Sequence, residues 1–188
     1  MTVRSACIAW CFLLASLVPG AADPAPAIHY APGENLEHVD VALIDGAQHE
    51  IDMAAYVLTD WPVMQALTRA ADRGVKVRIY LDGTQLADRE PAKVFQDLAD
   101  TPGVEIRTKR DHGAPMHLKS YDVDGRLLRT GAANFSASGL KRQDNDLIVI
   151  ESAGAAAAFK HNFEAQFASG DFTSRLWYGP IAHSFLRG

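Results

Sequence analysis

Apolar positions recur along the chain at two periods. Between Glu34 and Ala47, Leu36, Val39 and Leu43 fall at helical spacing and predict an amphipathic helix. Glu50 to Leu58 is a largely apolar run, as expected of a central strand. Asp60 is placed as an N-cap, with Trp61 and Pro62 in the first turn of a helix that runs to Arg73 and stops at Gly74. Val75, Val77, Ile79 and Leu81 alternate with Lys76, Arg78 and Tyr80, the period of a strand. A helix over Glu90–Asp100, a strand over Val104–Thr108 and a polar loop over Lys109–Met116 follow. The next stretch pairs two strands through Asp124-Gly125, a dipeptide suited to a two-residue hairpin whose central residues both need positive φ. Leu127 and Leu128 begin the return strand. A short helix over Ser136–Lys141, a buried strand over Leu147–Ile150 and a helix over Ala153–Ala168 complete the pattern. In that last helix Phe159, Phe163 and Phe167 form a stripe for the core. The tail from Asp171 reads as irregular and aromatic.

Strands alternating with helices around one hairpin predict an α/β fold. It is expected as an α-β-α sandwich on a mixed, mostly parallel sheet. At 188 residues without internal repeats, one domain is expected. The N-terminal segment stands apart. Arg4, the apolar run Ile8–Val18 and Gly20-Ala21-Ala22 compose a secretory signal peptide over residues 1–22, cleaved after Ala22. Residues 23–32, rich in Pro and Ala, read as a linker leading into a short first strand, and 33–188 as the single folded domain. This predicts a periplasmic or secreted protein. Both cysteines, Cys7 and Cys11, lie in the signal segment, so the mature chain has neither disulfide nor cysteine zinc site. The six histidines besides His117 show no metal-ligand spacing.

Without residues 1–22 the chain carries 17 basic and 23 acidic residues, a net charge of −6, which argues against general affinity for nucleic acid. The distribution changes that picture. From Thr101 to Arg142 there are eight basic and four acidic residues, a surplus able to draw a phosphate-rich substrate. Within that span lies HLKSYDVDGRLLRTGAANFS, His117 to Ser136. On a strand His117 and Lys119 project from the same face. Gly131 permits a close backbone approach, and Asn134 and Ser136 add neutral polar groups near a helix start. The set suits a tetrahedral anion: a nucleophile or base, a positive charge and several donors. Ser136 also fits a plain helix N-cap, and both roles stay open.

The spacing His-x-Lys-x4-Asp, followed by Gly131-Ala132-x-Asn134, resembles the phospholipase D superfamily. Ala132 stands where that family usually has Ser, leaving Ser136 as a substitute hydroxyl. The resemblance implies catalysis by His117, Lys119 and Asp124, with Lys119, Asn134, Ser136 and Gly131 around the phosphate. Asp124, at the hairpin turn, equally suits holding a backbone or a lysine. The residue that orients the histidine is expected at Asn145, flanked by Asp144 and Asp146 as alternatives. The implied chemistry is a two-step transfer through phosphohistidine, with no metal or other cofactor. A single motif implies a homodimer whose second copy completes the site.

Three functions follow. The first is a metal-independent endonuclease, with nucleic acid as substrate, similar to small exported bacterial members of the family. The second is a phospholipase D acting on phospholipid, against which the sequence offers no basic amphipathic helix. The third is a non-catalytic phosphate-binding protein.

Overall fold

The computed structural model describes residues 23–87, 93–109 and 114–172. The expected signal segment therefore lies outside the described residues, as does most of the aromatic tail. Strand β1 (Ala27–Ala31) precedes α1 (Leu36–Asp45), β2 (Glu50–Ala55), α2 (Trp61–Asp72) and β3 (Lys76–Leu81). Two short helices, α3 (Gly83–Ala87) and α4 (Lys93–Ala99), lead to β4 (Val104–Thr108). The hairpin β5 (Lys119–Val123) and β6 (Leu127–Thr130) is followed by α5 (Ala137–Lys141), β7 (Asn145–Ile150), α6 (Ala153–Ser169) and β8 (Asp171–Phe172).

The strands form one sheet in the order β1-β7-β6-β5-β2-β3-β4-β8. It is mixed, as expected, but the expectation of mostly parallel pairing is corrected. Of the strand pairs among the described residues, β2–β3 and β3–β4 are parallel, and β1–β7, β2–β5, β4–β8, β5–β6 and β6–β7 are antiparallel. Helical crossovers join β2 to β3 and β3 to β4, the connection a parallel pair needs. From β5 onward the chain turns back by a hairpin and short connections. The linker assignment over 23–32 also changes. Residues Ala27–Ala31 form an edge strand in full register with β7.

Local chemistry explains the helix starts. Asn35 accepts from the Glu37 amide, Asp60 from Val63 and Ser152 from Ala155, each satisfying an N-terminal donor. One face of the sheet carries the main core, built on Leu36, Ile44, Leu67, Ile79 and Phe135. The other face is covered by α6, whose Phe163 and Phe167 pack with Ala54, Tyr80 and Met116. The alternation in β3 is real, yet beyond the exposed Lys76 its polar side is buried. Arg78 turns toward α6, where Asp52 and Glu164 hold its guanidinium, both at bonds under 3.2 Å. The hairpin turn is as read, with φ of 56° at Asp124 and 65° at Gly125.

Candidate active site

The site lies at the end of the sheet where β5 begins and the segment 131–136 enters α5. Odd-numbered residues of β5 face the main core, with Tyr121 and Val123 buried in it, so Lys119 lies on that side. Asp82 fixes where the strand starts. Its carboxylate accepts from the Met116 amide at 2.7 Å and from the Thr84 hydroxyl and amide. Burial pushes the Asp82 carboxyl up, but these donors outweigh it and hold the group below its usual range.

His117 is exposed, and its ring meets Tyr56 at a centroid separation of 4.6 Å and a tilt of 53°. Lys119 is only 6% exposed. Its Nζ donates to the His117 carbonyl at 2.7 Å and stands 4.8 Å from the centre of the Tyr56 ring. No carboxylate pairs with it among the described residues, and burial holds its ammonium below the ordinary lysine range. A lysine spared a counter-ion is equipped to meet an anion from outside.

The second wall comes from the segment after β6. Gly131 has φ of +130°, and a Cβ there would lie 2.6 Å from the Asp146 carbonyl, so only glycine permits this approach to β7. The Ala132 amide donates to Asp146 Oδ1 at 2.9 Å. Asn134 follows, with a side-chain oxygen that is buried and meets no partner. Ser136 takes the N-cap role and accepts from the Gly139 amide at 3.1 Å. Asn134 and Ser136 border an open cleft of about 350 Å³ that continues past Thr59, Ser138 and Arg142.

Beneath both walls lies Arg129, fully buried. It forms a bidentate pair with Asp40 at 2.8 and 2.9 Å. Its Nη1 donates to the carbonyls of Lys119, at 2.8 Å, and Ala133, at 3.3 Å. One guanidinium thus ties the His-Lys strand to the Asn134 segment. Tyr121 donates to the same Asp40 at 2.9 Å.

Several sequence assignments change. The structure places Asp124 apart from His117 and Lys119. It sits beyond the other end of β5, roughly 20 Å along the strand from His117, and accepts the amides of Gln48, His49 and Glu50. Asn145 donates to the Gly139 carbonyl at 2.9 Å and braces α5, while Asp146 braces residues 132 and 133. Neither these nor exposed Asp144 makes a contact with the His117 ring among the described residues. The surplus of positive charge is smaller than counted. Arg129 and Lys141 are paired with Asp40 and Glu37, acids from outside the counted span. Tyr56 and Asp82, at strand ends in the sequence, are the added site residues. Nothing in the local pattern marks Arg129 or Asp40, 89 positions apart, as a pair.

A carboxylate group with metal-ligand spacing does exist: Glu50, Asp52 and Asp122. It faces α6 on the opposite side of the sheet from Lys119, and Lys160 already bridges Glu50 and Asp52.

A family profile described as "Cardiolipin synthase, PLD-like domain" matches residues 41–167. Phospholipase D of Rickettsia conorii is 32% identical over 133 residues, covering 67% of this chain and 61% of that protein. The mitochondrial cardiolipin hydrolase of Xenopus laevis is 25% identical over 143 residues, covering 75% and 61%. The chain thus spans less than two thirds of the length of these curated relatives. Among solved structures, Nuc of Salmonella typhimurium, a phospholipase D family member, aligns with a TM-score of 0.69 and 25% identity, covering 79% of this chain and 98% of that one. NucT of Helicobacter pylori has a TM-score of 0.70 at 19% identity, with the same coverage, and shares the fold.

Proposed function

The chain belongs to the phospholipase D superfamily, and from that premise we propose that it is a phosphodiesterase, an endonuclease that needs no metal ion and completes its site with a second copy of itself. The observation that carries this reading is the buried Lys119 ammonium, which meets no carboxylate among the described residues, with the exposed His117 ring packed on the same Tyr56 ring.

In the proposed reaction an imidazole nitrogen of His117 attacks phosphorus, and the bond to the leaving oxygen breaks. The second subunit's His117 gives that oxygen its proton, then takes one from the water that attacks phosphorus and releases the first histidine. One imidazole cannot hold phosphorus and deliver the proton together, so the single motif supports a two-fold dimer. Lys119 and Asn134 hold the non-bridging oxygens as negative charge builds on them. Tyr56 packs against His117 and Lys119 and restricts both. Asp82 and Arg129 keep the two walls in register. The segment over residues 1–22 supports export, which would place this reaction outside the cytoplasm.

Likeness to Nuc, 25% identical and spanned almost entirely by this chain, supports the nuclease reading. The relatives named phospholipase D and cardiolipin hydrolase support a second one, hydrolysis of a phospholipid ester. The experiment offers plasmid DNA, single-stranded DNA, RNA, and phosphatidylcholine and cardiolipin vesicles to the protein in excess EDTA, with His117→Ala alongside. Cleavage of nucleic acid by the wild type alone is expected. Release from vesicles only would transfer the assignment to lipid, and equal cleavage by the mutant would end the mechanism.

A further inference from the structure

The cleft beside Asn134 holds more than one phosphate needs. Its lining runs from Asn134 and Ser136 to Val57, Thr59, Ser138, Arg142 and Gln143, and does not include His117 or Lys119. Its volume of about 350 Å³ is at the lower end of small-ligand pockets. The lining carries hydroxyls, amides and one guanidinium, and no carboxylate.

Arg142 differs from its neighbours in charge pairing. Lys141 is held by Glu37 and Asp60, and Arg129 by Asp40. Arg142 is exposed, at the end of α5, with no ion pair among the described residues. Asn134 supplies an independent sign. Its buried oxygen lacks a hydrogen-bond partner, an arrangement that costs stability unless a ligand meets it. A guanidinium suits a second phosphate. An amide oxygen and adjacent hydroxyls suit a sugar hydroxyl. An acyl chain would find walls that are polar apart from Val57 and Ala137.

Resting on the phosphodiesterase reading above, we propose that this cleft is a subsite for the phosphate–sugar unit next to the scissile phosphodiester, with Arg142 holding its phosphate. The substrate class is then a chain of repeating phosphodiesters, in which the flanking unit contributes to binding and register.

The test compares kcat/KM for bis(p-nitrophenyl) phosphate, a dinucleotide and a trinucleotide in EDTA. The trinucleotide, with a flanking phosphate, is expected to exceed the dinucleotide at least tenfold. Arg142→Ala should lower the trinucleotide-to-dinucleotide ratio about tenfold, the loss of one charge-assisted contact. Arg142→Lys should restore part of it. Arg126→Ala, removing an exposed cation at the distant hairpin turn, should leave the ratio unchanged. An equal ratio in wild type, or one indifferent to Arg142, overturns the subsite.

Equilibrium binding of a fluorescent trinucleotide to the His117→Ala protein, with and without Arg142→Ala, separates the two readings. Binding that weakens without Arg142 upholds the subsite even where no turnover is found, and that outcome counts against the chemistry alone. Binding indifferent to Arg142 sinks the subsite whatever the turnover. If Arg142 matters only for anionic vesicles, the phosphate–sugar assignment is wrong.

Discussion

At one end of β5 Asp124 accepts three backbone amides, while at the other Lys119 carries a buried charge that no carboxylate meets among the described residues. Both residues belong to one sequence motif. Burial pushes the Asp124 carboxyl up, but the amides of Glu50, Gln48 and His49 outweigh it and hold it below its usual range. Its charge is spent on pinning the hairpin to the start of β2. At the Lys119 end, the ammonium has the His117 carbonyl but no carboxylate among the described residues, and the Asn134 oxygen has no hydrogen-bond partner. On the proposed mechanism, the groups at the Lys119 end are the ones a substrate completes. On that mechanism the motif is half machinery and half scaffold.

Removing His117 should have the largest effect. His117→Ala is expected to lower turnover about 10³-fold or more with no change in melting temperature, since the side chain is exposed. A folded mutant with near-normal turnover would erase the distinction between the two ends. Arg129→Met comes next, because it leaves Asp40 buried without its cation. A loss of about 3–5 kcal/mol is expected from chemical denaturation. A smaller loss would show that Arg129 does not couple the two walls.

Asp124→Ala should cost about 2 kcal/mol through the unmatched amides, while the folded fraction retains its turnover within about twofold. If turnover disappears and stability does not, Asp124 belongs to the chemistry after all. The smallest effect concerns Asp122, which faces α6. Burial, with the Asp52 charge adding to it, raises its carboxyl to about 6 against the pull of the Gly125 amide. The folded state then holds this proton more tightly than the unfolded chain. The resulting stability is full below about pH 4 and is lost as pH rises through about 6. Asp122→Asn keeps the shape without the charge. It should stabilise the protein by about 1–2 kcal/mol at pH 7.5 and by almost nothing at pH 4, as thermal melts at the two values would show.

Much of the scaffold is legible in the sequence because its causes are local. The Asp60 cap, the Asp124-Gly125 turn and the Phe159–Phe163–Phe167 stripe each follow from a few adjacent residues. His117, Lys119 and Asn134 are legible as a spaced set, and the structure brings the strand and segment that carry them together through Arg129. What escapes the sequence is long-range pairing. Arg129 counts as one more cation along the chain and proves to be neutralised by Asp40. The role of Asp124 depends on amides 74 to 76 positions away. The balance of parallel and antiparallel pairs depends on where β5 inserts, beside β2 rather than β4. No local period encodes that choice.

The central claim is that His117 forms a covalent bond to phosphorus at the unsatisfied end of β5. The most direct measurement is mass spectrometry of protein quenched in alkali, which preserves phosphohistidine, during turnover of a dinucleotide in EDTA. The account predicts an adduct with the mass of the retained phosphoryl half of the substrate on the peptide containing His117, absent from His117→Ala. Rapid cleavage in EDTA with no adduct on His117 at any time point would contradict it.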